Sequence, residues 1–309
     1  MGALRIWLMA ARPRTLPAAI APVLVGSAAA LVALRTTTGV GVPAVVSSAD
    51  PDFSWSRCLA ALVGAVFIQI GTNLANDYSD AKRGADTVDR LGPVRVTASG
   101  LAAPRRVLHA TWAAFAIAAL AGTYLAIEVG PEIIAIGVAS IIAGVLYTGG
   151  PRPYGYEGLG EVFVFIFFGL VAVNGSYYVQ LETLDLLPLL LSLPVGLLSA
   201  AILVVNNVRD IDTDRRAGKR TLAVRFGRER TRALYKLMIV TSFALLPVAL
   251  LLAGGPALGL LGLLAAPLAI GPLRAVRNDT DGPSLNGALA GTGALLAAFA
   301  ALVSVGLVI

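Results

Sequence analysis

The sequence predicts an all-α membrane protein with about nine transmembrane helices in one bundle, a cytoplasmic N-terminus, and two cytoplasmic Asp-rich segments that cap a central cavity. Composition predicts the class, because 57% of the 309 residues are hydrophobic and only 14% are charged, with a mean hydropathy of +0.80. A water-soluble chain could not bury so much apolar surface, and a disordered chain would not contain it. Recurring apolar stretches and a one-sided distribution of Lys and Arg predict the rest of the fold.

The first predicted helix runs from Leu16 to Leu34 and follows three arginines. At about 19 residues it has the length of a transmembrane helix rather than that of a signal-peptide core, so we expect it to be retained. Similar stretches, rich in the small residues that suit helix packing in lipid, continue along the chain. The nine predicted spans, which form one integral-membrane domain over residues 1–309, are 16–34, 58–76, 107–127, 132–149, 159–180, 186–207, 234–253, 257–273 and 286–308.

The basic residues assign a side to each loop. With the N-terminus in the cytoplasm, the inner segments hold all but two of the 24 Lys and Arg residues, and only Arg35 and Arg57 lie outside. This asymmetry follows the positive-inside rule. It also accounts for the net charge of +6 without a nucleic-acid partner. The Arg- and Ala-rich composition favours a bacterial plasma membrane, with the functional site on the cytoplasmic side.

The residues most able to take part in chemistry are aspartates. A single histidine, His109, excludes a His-based triad and a multi-histidine metal site, and a single cysteine, Cys58, excludes an internal disulfide. The acids concentrate instead in two long inner segments, 77–106 and 208–233. These segments either form one site or are solvated loops whose acids balance the neighbouring bases.

The first segment has the spacing of a metal site. Asp77 and Asp80 are three residues apart and therefore share a helix face. Two neighbouring carboxylates repel each other unless a divalent cation binds them, and Mg²⁺ prefers oxygen ligands. The further candidate ligands nearby are Asn73, Asn76 and, beyond a turn at Gly84, Asp86.

The second segment repeats part of this pattern. Asp210 and Asp214 are four residues apart, and Asn206 precedes Asp210 by four, as Asn73 precedes Asp77. This spacing is either a coincidence or a weak internal repeat that relates two halves, roughly 1–150 and 151–309. Bases lie among the acids, and acids for a metal beside bases for phosphate are typical of a magnesium–diphosphate site.

A third inner segment and one buried polar residue add candidates. Tyr147 and Arg152 are placed to reach a diphosphate from the end of the fourth span. Tyr154 and Tyr156 are expected to be interfacial anchors, the usual role of aromatic residues at that depth. Asn174, in the middle of the fifth span, either faces a substrate cavity or bonds a neighbouring helix.

Several segments resemble the UbiA superfamily of intramembrane aromatic prenyltransferases. Its motifs are N-D-x-x-D-x-x-x-D and D-x-x-x-D, and the matching residues here are Asn76, Asp77, Asp80, Asp210 and Asp214. The last position of the first motif is Gly84, and the acid appears at Asp86 instead. That departure is similar to the branch that prenylates 1,4-dihydroxy-2-naphthoate, as are segments 11–17, 89–95, 147–154 and the run that starts at Asn206.

The resemblance implies an enzyme with nine spanning helices that transfers a polyprenyl group from a prenyl diphosphate to 1,4-dihydroxy-2-naphthoate, with loss of CO₂ and diphosphate, to give demethylmenaquinone. It implies about two Mg²⁺ ions, replaceable by Mn²⁺, and surrounding membrane lipids. The implied catalytic residues are Asp77, Asp80, Asp210 and Asp214, and these with Asp86, Asn73 and Asn76 form the metal set. From their own charge, polarity and position, the expected diphosphate ligands are Lys82, Arg83, Tyr147, Arg152, Arg209 and Lys219, and the expected acceptor ligands are Arg14, Asn174 and Asn206.

Other readings compete with this one. A sibling transferase would act on 4-hydroxybenzoate, a haem or a chlorophyll-type ring, and the G-x-D departure argues against the first of these. A secondary transporter would place its site near the bilayer midplane, whereas the acids cluster at one face. The D-x-x-D-G-x-x-A-R pattern of CDP-alcohol phosphotransferases is absent. The sequence leaves the prenyl length and the oligomeric state open.

Overall fold

The structure is a computed structural model that describes residues 2–37, 53–85 and 91–309. Its helices in chain order are α1 (Ala3–Ala11), α2 (Pro17–Thr37), α3 (Trp55–Lys82), α4 (Pro104–Glu128), α5 (Glu132–Leu146), α6 (Gly160–Leu181), α7 (Leu186–Arg216), α8 (Leu222–Phe226), α9 (Arg228–Ala253), α10 (Ala257–Asn278) and α11 (Gly282–Val308). All regular elements in the described ranges are helical. The predicted all-α class is therefore confirmed.

Each of the nine predicted apolar stretches coincides with a helix. Among the described residues, eight helices are long and apolar enough to cross a membrane by length and composition, and α5 is apolar but shorter, at 15 residues. The chain is thus a multi-pass membrane protein. Two of the described helices were not predicted, the short α8 and the amphipathic α1, of which α1 exposes Leu4 and Leu8. Such a helix is suited to the membrane interface.

Two helices extend further than their hydropathy predicts. The spans were expected to end near residues 76 and 207, but α3 continues to Lys82 and α7 to Arg216. Four charged residues of these extensions are buried against other segments, namely Asp77, Asp80, Arg209 and Asp210, so the helices continue where apolar character ends. The aspartates of both motifs consequently lie on rigid helix ends rather than in loops.

Helix α7 lies at the centre of the bundle. Most of its residues from Leu191 to Ile211 are buried, and it packs against α2, α6, α9 and α11. Its contact with α6 requires glycine, because a Cβ on Gly169 would lie 2.7 Å from the Cα of Gly196. Helices α3, α4 and α5 pack together as a second group, with α1 against α3.

The two ends of the bundle differ in chemistry. Arg57, at the start of α3, pairs with Glu128 and Glu182 and donates to the carbonyl of Val179. Asp80, 23 residues further along α3, lies at the other end. Arg57 therefore lies at the end of the bundle opposite the acids, as predicted. We call the acid-bearing end the inner end.

Candidate active site

A cavity of about 340 Å³ opens between the two groups of helices. Its inner end is polar, and it continues along α3 from Asp80 to Ala61, a distance of about 28 Å at the helical rise. Of the predicted site residues, those that line it are Asn73, Asn76, Asp80, Tyr147, Asn206, Asp210, Asp214 and Lys219. The structure therefore brings both Asp motifs to one cavity.

Asp80 is the point where the inner segments meet. One oxygen of its carboxylate, Oδ2, accepts from Nη2 of Arg95 at 3.1 Å and from Nζ of Lys219 at 3.3 Å. The other, Oδ1, accepts from the hydroxyl of Tyr156 at 2.6 Å. The side chain is 1% exposed. Charge-assisted bonds of this kind are the stronger ones, so Asp80 joins two distant cationic segments to α3.

Asp210 is oriented by its neighbour in the chain. Arg209 donates to both carboxylate oxygens of Asp210, at 2.8 and 2.6 Å, and also to the amide oxygen of Asn206 at 2.7 Å. Arg209 is fully buried and is not among the cavity-lining residues. Its role as a diphosphate ligand stays a prediction, and in this structure its donors bind protein oxygens.

Asp77 also differs from its prediction as a metal ligand. Its carboxylate accepts from the backbone amides of Val96 and Thr97, at 3.0 and 2.9 Å, and it is absent from the cavity wall. These bonds fix the turn that begins at Arg95. Asp77 thus anchors the segment that delivers Arg95 to Asp80.

The two asparagines of α3 have distinct partners. Asn73 donates to the carbonyl of Ala11 and the hydroxyl of Thr15, and its amide oxygen remains as an acceptor beside the cavity. The amide oxygen of Asn76 accepts from Thr148 at 2.8 Å. Asn73 is therefore the better oxygen ligand of the two.

Five other predicted residues lie outside the cavity. Lys82 and Arg83 follow Asp80 around the helix and are exposed, and Arg83 donates to the carbonyl of Gly150. Arg152 is 82% exposed and pairs with Glu157, and its hydrogen bond holds the pKa of Glu157 below the ordinary value. The remaining two are Arg14, which is exposed, and Asn174, which donates to the carbonyl of Leu170 in its own helix.

Sequence reasoning missed several residues of the site. Arg12 lines the cavity in place of Arg14, and its backbone has a left-handed conformation with φ 54°, which is strained for a side chain other than Gly. In the sequence, Arg95 stood out only as the last residue of segment 89–95, which resembles the family. The expectation that Tyr154 and Tyr156 are interfacial anchors is wrong, because both line the cavity. No local pattern marks a tyrosine whose partner is distant in sequence.

An aromatic ladder runs from the acids into the apolar part of the cavity. The ring centroids of Tyr147 and Tyr154 are 5.5 Å apart, those of Tyr154 and Phe163 4.0 Å, and those of Phe163 and Phe167 6.2 Å. Phe167 belongs to a π-helical turn, Phe165–Val171, of a kind that is frequent at functional sites. Burial raises the pKa of Tyr154 above the ordinary value, so its hydroxyl stays protonated at neutral pH.

The outer part of the cavity is lined by small and apolar residues. Gly64 of α3, Gly122 of α4, Gly137 of α5 and Gly175 of α6 all face it. A Cβ on any of the last three would meet no other atom within 4 Å. The free volume therefore arises from the absence of side chains on four neighbouring helices.

The described donors fit Mg²⁺ when it is shared with phosphate. Across residues 2–37, 53–85 and 91–309 no three Asp, Glu, His or Cys side chains form a metal cluster, and Asp86, a predicted ligand, lies outside these ranges. Mg²⁺ is typically held by one or two carboxylates together with substrate phosphates. The carboxylates of Asp80, Asp210 and Asp214 line one cavity and supply that donor chemistry.

Glu161 is a buried carboxyl group that supports the cavity wall. Its Oε1 accepts from the amide of Asn207 at 2.7 Å, and within the part of the chain that the structure describes its Oε2 has no hydrogen bond. We expect Glu161→Ala to lower stability by roughly 1–3 kcal/mol, because the Asn207 amide loses its acceptor. Glu161→Gln keeps that acceptor and should have a smaller effect.

The melting temperature of the purified protein in detergent measures this difference. Glu157→Ala is the matched control, since Glu157 is a surface residue four positions earlier in the chain. Equal melting temperatures for Glu161→Ala and Glu157→Ala would contradict the role of Glu161 in supporting the cavity wall.

Comparison with known proteins gives consistent family and fold matches. The model of the UbiA prenyltransferase family matches residues 34–289. The chain is 44% identical to 1,4-dihydroxy-2-naphthoate octaprenyltransferase of Mycobacterium tuberculosis, over 96% of this chain and 95% of that protein. It is 38% identical to the protein of the same name from Escherichia coli, over 89% of this chain and 86% of that one.

The fold is also similar to solved structures. A UbiA homolog from Aeropyrum pernix K1 has a TM-score of 0.67 at 15% identity and covers 93% of this chain and 97% of its own. A UbiA homolog from Archaeoglobus fulgidus, bound to DMAPP and Mg²⁺, has a TM-score of 0.61 at 15% identity and covers 97% and 99%. At these identities the likeness establishes the fold.

Proposed function

This chain belongs to the UbiA prenyltransferase family, and from that premise we propose that it transfers a polyprenyl group from a polyprenyl diphosphate to 1,4-dihydroxy-2-naphthoate in menaquinone biosynthesis. The observation that carries the proposal is 44% identity over 96% of the chain to a relative named for this reaction. The cavity supports it, because charged groups occupy one end and apolar surface the other. A prenyl diphosphate likewise has a charged end and an apolar end.

The diphosphate would bind at the inner end. Asp80, Asp210 and Asp214, with Asn73, would hold two Mg²⁺ ions, with Mn²⁺ as a substitute, and Asp77 would act through the segment of Arg95. When bound, the metal neutralises charge on the diphosphate as it leaves. Arg95 and Lys219 line the same end of the cavity and would stabilise the developing negative charge.

The prenyl group would lie beside the aromatic ladder and extend between the four glycines. Ionisation of the C–O bond sends its electron pair to the diphosphate and leaves an allylic cation. Tyr147 and Tyr154 would face that cation, and aromatic faces attract cations. The apolar wall would exclude water, which otherwise captures the cation.

The acceptor would enter beside Arg12, whose guanidinium is suited to its carboxylate. The ring carbon that bears the carboxylate supplies the electron pair of the new C–C bond. The carboxyl group then leaves as CO₂, and the electron pair of the broken bond restores aromaticity. The product is the reduced form of demethylmenaquinone, and no protein base is required for this step.

The inner end would face the cytoplasm of a bacterial cell, where both polar substrates occur. The basic residues near that end support this orientation. A transporter is disfavoured by the same geometry, since the charged groups lie at one end of the bundle rather than at its middle.

A product assay tests the proposal. Purified protein in detergent receives a radiolabelled polyprenyl diphosphate, Mg²⁺ and either 1,4-dihydroxy-2-naphthoate or 4-hydroxybenzoate. We expect a prenylated naphthoquinone with the first acceptor, no product with the second, and loss of product when EDTA removes the metal. Product with 4-hydroxybenzoate alone would overturn the acceptor, and product in the presence of EDTA would overturn the metal dependence.

A further inference from the structure

Arg209 is buried between the cavity and α11, and its contacts extend in both directions. Toward the cavity it binds Asp210 and Asn206, as described above. In the opposite direction its Nη1 donates to the amide oxygen of Asn286 at 2.7 Å. Asn286, on the second turn of α11, in turn donates to the carbonyl of Leu91 at 3.1 Å.

Asp210 contacts both the arginine and the cavity. Arg209 donates to both of its carboxylate oxygens, and Asp210 also lines the cavity. A carboxylate has about four lone-pair sites on its two oxygens, so the two bonds from Arg209 fix the plane of the carboxylate without using all of its acceptor capacity.

Arg209 itself depends on Asn286 for its position. An arginine side chain has considerable rotamer freedom. Its guanidinium keeps one orientation only when all of its nitrogen atoms donate to fixed acceptors. Asn206 and Asp210 bind from α7 itself, at one turn or less along the same helix. Asn286 is the contact that comes from a different helix.

We propose that Arg209 and Asn286 are positioning residues that set the affinity of the inner end for Mg²⁺ through Asp210 and Asn206. Neither lines the cavity. The inference rests on the proposed function only in that the metal is bound together with a prenyl diphosphate. Removing groups that orient metal ligands typically lowers metal affinity by 10- to 100-fold.

The test measures metal-dependent binding rather than turnover. Geranyl thiolodiphosphate, which does not ionise readily, is titrated into the full-length protein in detergent at a series of Mg²⁺ concentrations, with calorimetric detection. We expect Asn286→Ala to raise the Mg²⁺ concentration for half-maximal binding about tenfold. Asn286→Asp keeps an oxygen for Arg209 but loses the donor to Leu91, and should remain within about threefold of wild type.

The controls separate positioning from folding. Asn278→Ala makes the same change at an exposed position of α10 and should leave the Mg²⁺ dependence unchanged, and melting temperatures report the folded state of every variant. An unchanged Mg²⁺ requirement in folded Asn286→Ala would overturn the proposal. An Asn286→Asp variant as impaired as Asn286→Ala would also overturn it, because the contact with Leu91 would then be the important one. Since binding needs no acceptor, a wrong acceptor assignment leaves this test intact.

Discussion

Asp80→Asn is expected to lower the kcat of prenyl transfer by about 10²- to 10³-fold, the range for loss of one group from a preorganised charged site. The substitution keeps the size of the side chain and an acceptor for Tyr156. It removes the negative charge between Arg95 and Lys219, which both contact the same carboxylate oxygen. Two cations then remain close together without the carboxylate charge that they share, and one oxygen ligand is weakened.

Steady-state prenyl transfer in detergent measures the effect, with Asp212→Asn as the matched control. Asp212 lies on α7 and pairs with Arg228, but it is 68% exposed and does not line the cavity. Exposed ion pairs contribute little, so its variant should keep nearly full activity. Similar activity in the two variants would show that Asp80 is not part of the reacting site.

Gly137→Phe is expected to convert the enzyme from long to short prenyl substrates. Gly137 lines the cavity about ten residues along α5 from Tyr147, or about 15 Å at the helical rise. A side chain there meets no atom within 4 Å at its Cβ, so the ring enters the cavity without displacing the backbone. We expect kcat/KM for octaprenyl diphosphate to fall by about 100-fold, the upper range for exclusion from an apolar pocket.

Geranyl diphosphate should be used by this variant nearly as well as by wild type, because its tail ends before the added ring. Gly271→Phe is the control, since Gly271 lies on the exposed surface of α10 with open space at its Cβ. Equal losses with geranyl and octaprenyl diphosphate would contradict the placement of the tail along α5.

The helices were predictable because hydropathy and length determine them directly. A run of apolar residues about 20 long has few alternatives to a spanning helix, and each predicted stretch coincides with one. The helix ends were less predictable. The ends of α3 and α7 are polar, and the charged residues that are buried there need tertiary partners, such as Lys219 for Asp80, to make that burial favourable.

The chemistry of the site was predictable from the sequence, whereas the role of each residue was less predictable. Oxygen ligands and bases at the inner ends of two helices indicated a diphosphate site, and both motifs do meet at one cavity. Sequence spacing could not distinguish a base that faces the cavity from one that faces its neighbours. Arg209 and Lys219 are both basic residues of the second segment, yet the first is enclosed by protein oxygens and the second lines the cavity.

The contact between Asp80 and Lys219 forms only after a long interval of synthesis. The two residues are 139 positions apart, which corresponds to roughly ten seconds of translation. Throughout that interval α3 resides in the membrane with its buried acid lacking one of its two cationic partners. A nascent chain that stalls before Lys219 would therefore hold Asp80 without its ion pair to that lysine.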